Sequence, residues 1–192
     1  RLYVPFRCEK KKLVDMAVEN AILGIEQVVV RRLSDEAKAE SALTALREAL
    51  HLPSMPQRIE CYDISNIQGK AAVGSMVVFE KGQPKKAHYR RFRIKTVEEI
   101  DDYAMMQEVL RRRFSKVAQE EGSWGLVPDL VMIDGGRGHL NAALDEMDNL
   151  EVNYIPVASI AKENEEIFLS GMEGSIILPR DSEALHLVQR VR

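Results

Sequence analysis

Three carboxylates in this chain stand where they would do chemistry if folding brought them together. Asp63 interrupts Ile59-Glu60-Cys61-Tyr62-Asp63-Ile64, a run whose β-branched and aromatic content otherwise reads as a buried strand. An ionised carboxylate on such a strand is costly unless a cation or a metal ion pairs with it. Asp134 ends the apolar run Leu130-Val131-Met132-Ile133 and precedes Gly135-Gly136. Asp101 or Asp102, heading an amphipathic stretch, is the third. Acids gathered at one point repel strongly unless divalent metal neutralises them. An oxygen-only ligand set favours Mg²⁺ or Mn²⁺, and the chemistry such a site performs is metal-assisted hydrolysis of a phosphodiester. Each acid also has an ordinary use. Asp63 alone fits a strand edge or turn, Asp134 an Asx-turn, and Asp101 or Asp102 a helix N-cap.

The elements that would position these acids follow from periodicity. Leu13, Ala17, Ala21, Ile25 and Val28 repeat at helical spacing, and Ser34, followed by Asp35 and Glu36, reads as the N-cap of a second helix striped by Ala39, Ala42, Leu43, Leu46 and Leu50. Pro53 and Pro56 end it. Strands are expected over residues 59–65, 72–80 and 86–95 as an antiparallel meander, with residues 81–84 as a turn. A helix follows over 101–116, then the strand at 130–133, a helix to about 150, a fifth strand over 154–160 and a short hairpin of 166–170 with 174–178. The order βββ-α-β-α-β predicts an α/β architecture with a mixed sheet flanked by helices, the order of the ribonuclease H-like fold. In that sheet the first strand lies beside the fourth, so Asp63 and Asp134 converge, and the intervening helix brings Asp101 or Asp102. The domain expectation is a helical segment over 1–56, packing on an endonuclease domain over 57–192.

At 192 residues and 45% hydrophobic content the chain can bury a real core. A net charge of -3 and a pI of about 5.9 give no global sign of nucleic-acid binding, so a binding surface must be local. One is present: Lys81, Lys85, Lys86, Arg90, Arg91, Arg93 and Lys95 occur without an acid among them, interleaved with His88, Tyr89 and Phe92. Arg111, Arg112, Arg113 and Lys116 form a second cluster. Patches of this kind bind phosphate backbones whatever the overall charge. Lysines that block edge-strand pairing and basic residues that complement a helix dipole are the competing uses. Cys8 and Cys61 are too few for a disulfide or zinc framework and read as inert thiols in a reducing cytoplasm. No apolar run reaches the ~20 residues of a membrane span. The chain begins without Met and stops at Val191-Arg192, which reads as a piece of something longer.

The segments "RIECYDISNIQG", "GSMVVFEKGQPKKAHYRRFRIK", "DDYAMMQEVLRRRF", "PDLVMIDGGRGHLNAAL", "ASIAKENEEIF" and "LPRDSEALHLVQRVR" resemble, in order and spacing, the C-terminal endonuclease region of bacterial UvrC. That resemblance covers about residues 57–192. It implies a metal-dependent nuclease that cuts damaged double-stranded DNA on the 5′ side of a lesion in nucleotide excision repair, in a pre-incision complex with UvrB reached through regions outside this chain. It also implies catalytic and metal-holding roles for Asp63, Asp102 and Asp134, selecting Asp102 over Asp101, with Mg²⁺ or Mn²⁺ as cofactor. The family's catalytic His belongs to an "RDE-x-H" segment beyond the position of Arg192, and none of His51, His88, His139 or His186 takes its place. Cys8, Asn66 and His139 stand where the family usually has Gly, His and Gln. Another ribonuclease H-like nuclease, of the junction-resolvase type, and a non-catalytic DNA-binding module of the same fold are the alternatives.

Overall fold

The computed structural model describes residues 9–67, 71–97, 101–117, 122–162 and 165–192. The chain opens with a single helix, α1 (Glu9–Ala49), where the sequence pattern predicts two. Ser34 lies inside it rather than capping a second helix. Around Ser34 there is neither Gly nor Pro, and one interior Ser costs a helix too little to break it. The helix crosses the boundary between two compact units, one up to Lys38 and one comprising Ala39–Arg192. In the first unit Leu13, Ile25 and Val28 are exposed. In the second, Leu43, Leu46 and Leu50 enter the core.

A mixed sheet forms the second unit. Its strands are β1 (Arg58–Ile67), β2 (Ala71–Glu80), β3 (Gln83–Pro84), β4 (Arg90–Arg93), β5 (Leu130–Asp134), β6 (Val157–Ala161) and β7 (Glu166–Leu169). They run in the order β3-β2-β1-β5-β6-β7, with β4 also paired to β2. The β1–β5 and β5–β6 pairs are parallel; β1–β2 and β6–β7 are antiparallel. The expected third strand, 86–95, is shortened to β4, and Gln83–Pro84, expected in the turn, pairs with β2 as β3. Pro84 cannot donate to the ladder, Lys86–His88 coils into a 3₁₀ turn, and pairing with β2 resumes only at Arg90. The strand expected over 154–160 starts later, at Val157. The hairpin at 166–178 is reduced to β7 and a single bridge between Ile167 and Ile176.

Helices α2 (Asp102–Phe114) and α3 (Arg137–Asn149) cover one face of the sheet, and α4 (Glu183–Val191) with the end of α1 covers the other. Gly74 of β2 permits the close approach of α2, since a Cβ there would overlap the Val109 side chain. Strand alternation sorts the core. Ile59, Cys61, Leu130, Met132, Ala158 and Ile160 face α1 and α4, while Tyr62, Val131, Ile133 and Val157 face α2 and α3. The central strands are apolar on both faces, as parallel strands covered by helices must be.

Candidate active site

The same alternation sets the site. Asp63 follows Ile59 and Cys61 on β1, and Asp134 follows Leu130 and Met132 on β5, so both acids belong to the α4 face. The parallel register pairs Cys61 with Met132 and Tyr62 with Ile133, which brings the two acids level at the ends of adjacent strands. Next to them Ala158 and Ile160 of β6 lie on that face, and Lys162 follows just past the strand's end. Lys162 Nζ lies 3.3 Å from Asp134 Oδ2 and 4.0 Å from Asp63 Oδ1. The remaining Asp63 oxygen accepts a 2.8 Å hydrogen bond from Ser65 Oγ. Asp134 Oδ1 is buried without a hydrogen-bond partner. Such an atom costs free energy unless a ligand meets it.

Asp134 is thus no Asx-turn acid. The turn into α3 is shaped instead by Gly135, where a Cβ would overlap the His139 ring, and by Gly136 as N-cap. The buried Cys61 thiol is pushed up to about 12, first by burial and then by the negative charges of Asp134 and Asp63. It is an inert thiol that registers both acids. Cys8 lies outside the described residues.

At the head of α2 the two neighbouring acids have separate roles. Asp101 is the N-cap, accepting 3.0 Å bonds from Tyr103 N and Ala104 N. Asp102 is the first helical residue and is exposed. Tyr103 packs edge-on against His139, ring centroids 4.8 Å apart, so the first turns of α2 and α3 sit side by side next to Asp134. Among the described residues no three His, Cys, Asp or Glu side chains form a group that could hold a metal ion.

The acid under greatest constraint is one the sequence reading passed over. Glu60, not Asp63, is the fully buried carboxylate of β1, whereas the Asp63 side chain is 33% exposed. Glu60 accepts from Arg58 at 2.7 Å, from Tyr62 Oη at 2.6 Å and from both Arg113 Nε and Nη2. Arg113 also donates to the carbonyls of Trp124 and Leu126. This corrects the assignment of Arg113 to a DNA-binding surface. It is fully buried, and every one of its partners is internal. The signal was available, because a Glu inside an apolar strand demands a buried cation.

The other basic residues divide by what they touch. Arg111 forms a two-pronged pair with Glu146 at 2.8 Å, and Arg112 bonds Glu108 and the Arg93 carbonyl. Both keep some solvent contact. Lys116 lies over the Trp124 ring. Arg91 and Arg93 alternate outward from β4 around the buried Phe92, and neither forms an ion pair with a described residue. Lys162 was missed. Its only sequence signal is a cation two residues past Ile160, on the face shared by the acids.

Residues 47–192 match the UvrC RNase H endonuclease domain. The chain belongs to that family. A UvrABC system protein C of Dehalococcoides mccartyi is 48% identical over 188 residues, covering 97% of this chain, and one of Moorella thermoacetica is 44% identical over 191 residues. This chain spans 31% of each of those relatives. Among solved structures, Ciona intestinalis endonuclease V bound to an inosine-containing 24mer DNA is 16% identical, covering 72% of this chain and 58% of that one, with a TM-score of 0.41. Human ENDOV is 17% identical over 73% of this chain and 63% of its own, with a TM-score of 0.43. The fold is ribonuclease H-like, as the element order predicts. Among the described residues no helix is long and apolar enough to cross a membrane.

Proposed function

We propose that this chain is a divalent-metal-dependent DNA endonuclease that makes the 5′ incision beside a lesion in nucleotide excision repair. The observation that carries the reading is the convergence of Asp63 and Asp134 from adjacent parallel strands, with Asp134 Oδ1 buried and unsatisfied. An all-carboxylate donor set with an orphaned oxygen fits a hard cation such as Mg²⁺ or Mn²⁺. Asp63 and Asp134 would hold it, with Asp102 as the third acid by its match to the family's "DDY" segment. When bound, the ion would activate water and stabilise charge on the attacked phosphate. The protein's own part is positioning. Ser65 fixes the Asp63 carboxylate, and the β5–α3 turn aims that of Asp134. Arg91 and Arg93 offer exposed positive charge for backbone phosphates. Damaged double-stranded DNA is the substrate on this reading, and a UvrB–DNA complex is the partner, engaged through parts of the relatives that this chain does not span.

The test is 5′ incision of a lesion-bearing duplex in Mg²⁺ or Mn²⁺ by the full-length protein as wild type, Asp63→Asn and Asp134→Asn. Both substitutions preserve shape and remove a ligand charge. Loss of cutting with DNA binding retained supports the proposal, whereas cutting by either variant at the wild-type rate defeats it. One observation favours a non-catalytic DNA-binding module instead, namely that among the described residues no three His, Cys, Asp or Glu side chains form a group that could hold a metal ion. A wild-type chain that binds DNA but neither cuts it nor binds Mn²⁺ would decide for that reading.

A further inference from the structure

We propose that Lys162 is the built-in counter-ion of the Asp63–Asp134 pair and gates metal entry: its ammonium and a divalent cation compete for the same carboxylate oxygens, and a DNA phosphate, by drawing the ammonium away, opens the pair to metal. The proposal rests on the metal reading above.

The geometry gives three reasons. Lys162 Nζ makes its closest approach to Asp134 Oδ2, 3.3 Å away, and reaches Asp63 Oδ1 at 4.0 Å, so it sits between the two carboxylates. These are the carboxylates that would hold the ion, and Ser65 leaves free the Asp63 oxygen that Lys162 faces. The charge balance is also incomplete. Among the described residues the two carboxylates face one ammonium, and Asp134 Oδ1 has no hydrogen-bond partner. A divalent cation would satisfy both acids where Lys162 satisfies them only partly.

Lys162 is also able to leave. Its side chain is 65% exposed, while that of Asp134 is 8% exposed. An ammonium on a flexible four-carbon stem reorients at little cost and binds phosphate as a point charge. Lys162 borders a cleft of about 650 Å³ whose walls include Arg180 and Gln189 together with Glu165 and Glu166, a lining that includes neither Asp63 nor Asp134, so it has room to swing away from them. By linkage, whatever factor DNA adds to metal affinity, metal must add to DNA affinity.

The experiment reads Mn²⁺ binding to the 192-residue chain by the paramagnetic resonance signal of free Mn²⁺, with and without a short undamaged duplex. Wild type, Lys162→Met, Lys162→Gln, Lys162→Arg and Asp134→Asn are compared, each first checked for native circular dichroism. Without DNA, the Met and Gln variants should bind Mn²⁺ roughly 2- to 5-fold more tightly than wild type, the scale of an exposed ion pair. Lys162→Arg, which keeps a cation, should stay near wild type. The duplex should tighten Mn²⁺ binding in wild type and do so less in the Met and Gln variants. If Asp134→Asn abolishes Mn²⁺ binding while Lys162→Met and Lys162→Gln bind it no more tightly than wild type, the gate is wrong and the metal site stands. If Asp134→Asn leaves Mn²⁺ binding unchanged, the metal site itself is wrong and the gate falls with it.

Discussion

Arg113 and Glu60, 53 residues apart in sequence, meet 2.9 Å apart with side-chain exposures of 1% and 0%. The pair ties the last turn of α2 to the start of β1, and Arg58 and Tyr62 complete the shell around the Glu60 carboxylate. Removing Arg113 takes two charge-assisted hydrogen bonds from the Glu60 carboxylate and leaves Arg58 as its buried cation. Arg113→Ala should therefore lower the unfolding free energy by about 1.5–3 kcal/mol, read from the urea midpoint. A variant with the wild-type midpoint would show that Glu60 is satisfied without it.

DNA contacts should follow exposure rather than sequence clustering. Arg91→Ala and Arg93→Ala should each weaken binding with little sequence dependence and reduce the salt slope by roughly 0.7–0.9 per lost phosphate contact. Arg111→Ala and Arg112→Ala should have smaller effects, because their guanidinium groups are partly engaged by Glu146 and Glu108. Fluorescence anisotropy titrations at several salt concentrations check this. An unchanged slope in the Arg91/Arg93 double variant would place the DNA on another surface.

Asp101 and Asp102 should separate cleanly. Asp101→Ala removes two cap hydrogen bonds and should cost about 0.5–2 kcal/mol of stability, with cutting at saturating DNA retained. Asp102→Asn should leave the melting temperature within a degree or two of wild type and abolish cutting. The reverse pattern in melting and single-turnover cleavage would transfer the third-acid role to Asp101.

Glu108 supplies an acid-sensitive contact between α2 and the segment after β4. Burial alone would raise its pKa, but hydrogen bonds from Thr96 Oγ1 and N, from Lys95 N and from Arg112 outweigh it and hold the carboxyl below the usual glutamate value. With the folded-state pKa below the unfolded one, the contribution to stability is full above the unfolded value and disappears as pH falls through the folded one. Glu108→Gln should be less stable than wild type at pH 7, and the difference should shrink as pH falls from the unfolded glutamate value through the lower folded one. Denaturation across that range tests the sign. A gap that stays constant with pH would mean the carboxylate charge contributes nothing.

How much of this was legible in advance depends on the range of the interaction concerned. Alternation along a strand is local, so the shared face of Ile59, Cys61 and Asp63, and that of Leu130, Met132 and Asp134, could be read from residue order alone. The element order likewise predicted β1 beside β5, because few topologies accommodate three antiparallel strands followed by right-handed crossovers. Helix continuity through Ser34 and the pairing of Gln83–Pro84 were harder, since each turns on local preferences too small for residue order to decide.

The partners of the charges were decided only in three dimensions. Arg111, Arg112 and Arg113 are consecutive, yet each is about 100° further round α2, so they meet Glu146, Glu108 and Glu60 respectively. Which of the three is buried depends on how that helix is rotated against the sheet, and the core side chains Met106, Val109 and Leu110 set that rotation. Lys162 meets the acids only because β6 lies next to β5 in parallel register, with Ile160 opposite Asp134. The sequence by itself determined which residues carry charge and which face of each strand they occupy, since those are properties of the residue and its neighbours. Which charge meets which was settled by the tertiary structure, because an ion pair depends on distance in space, and spacing along the chain does not supply it.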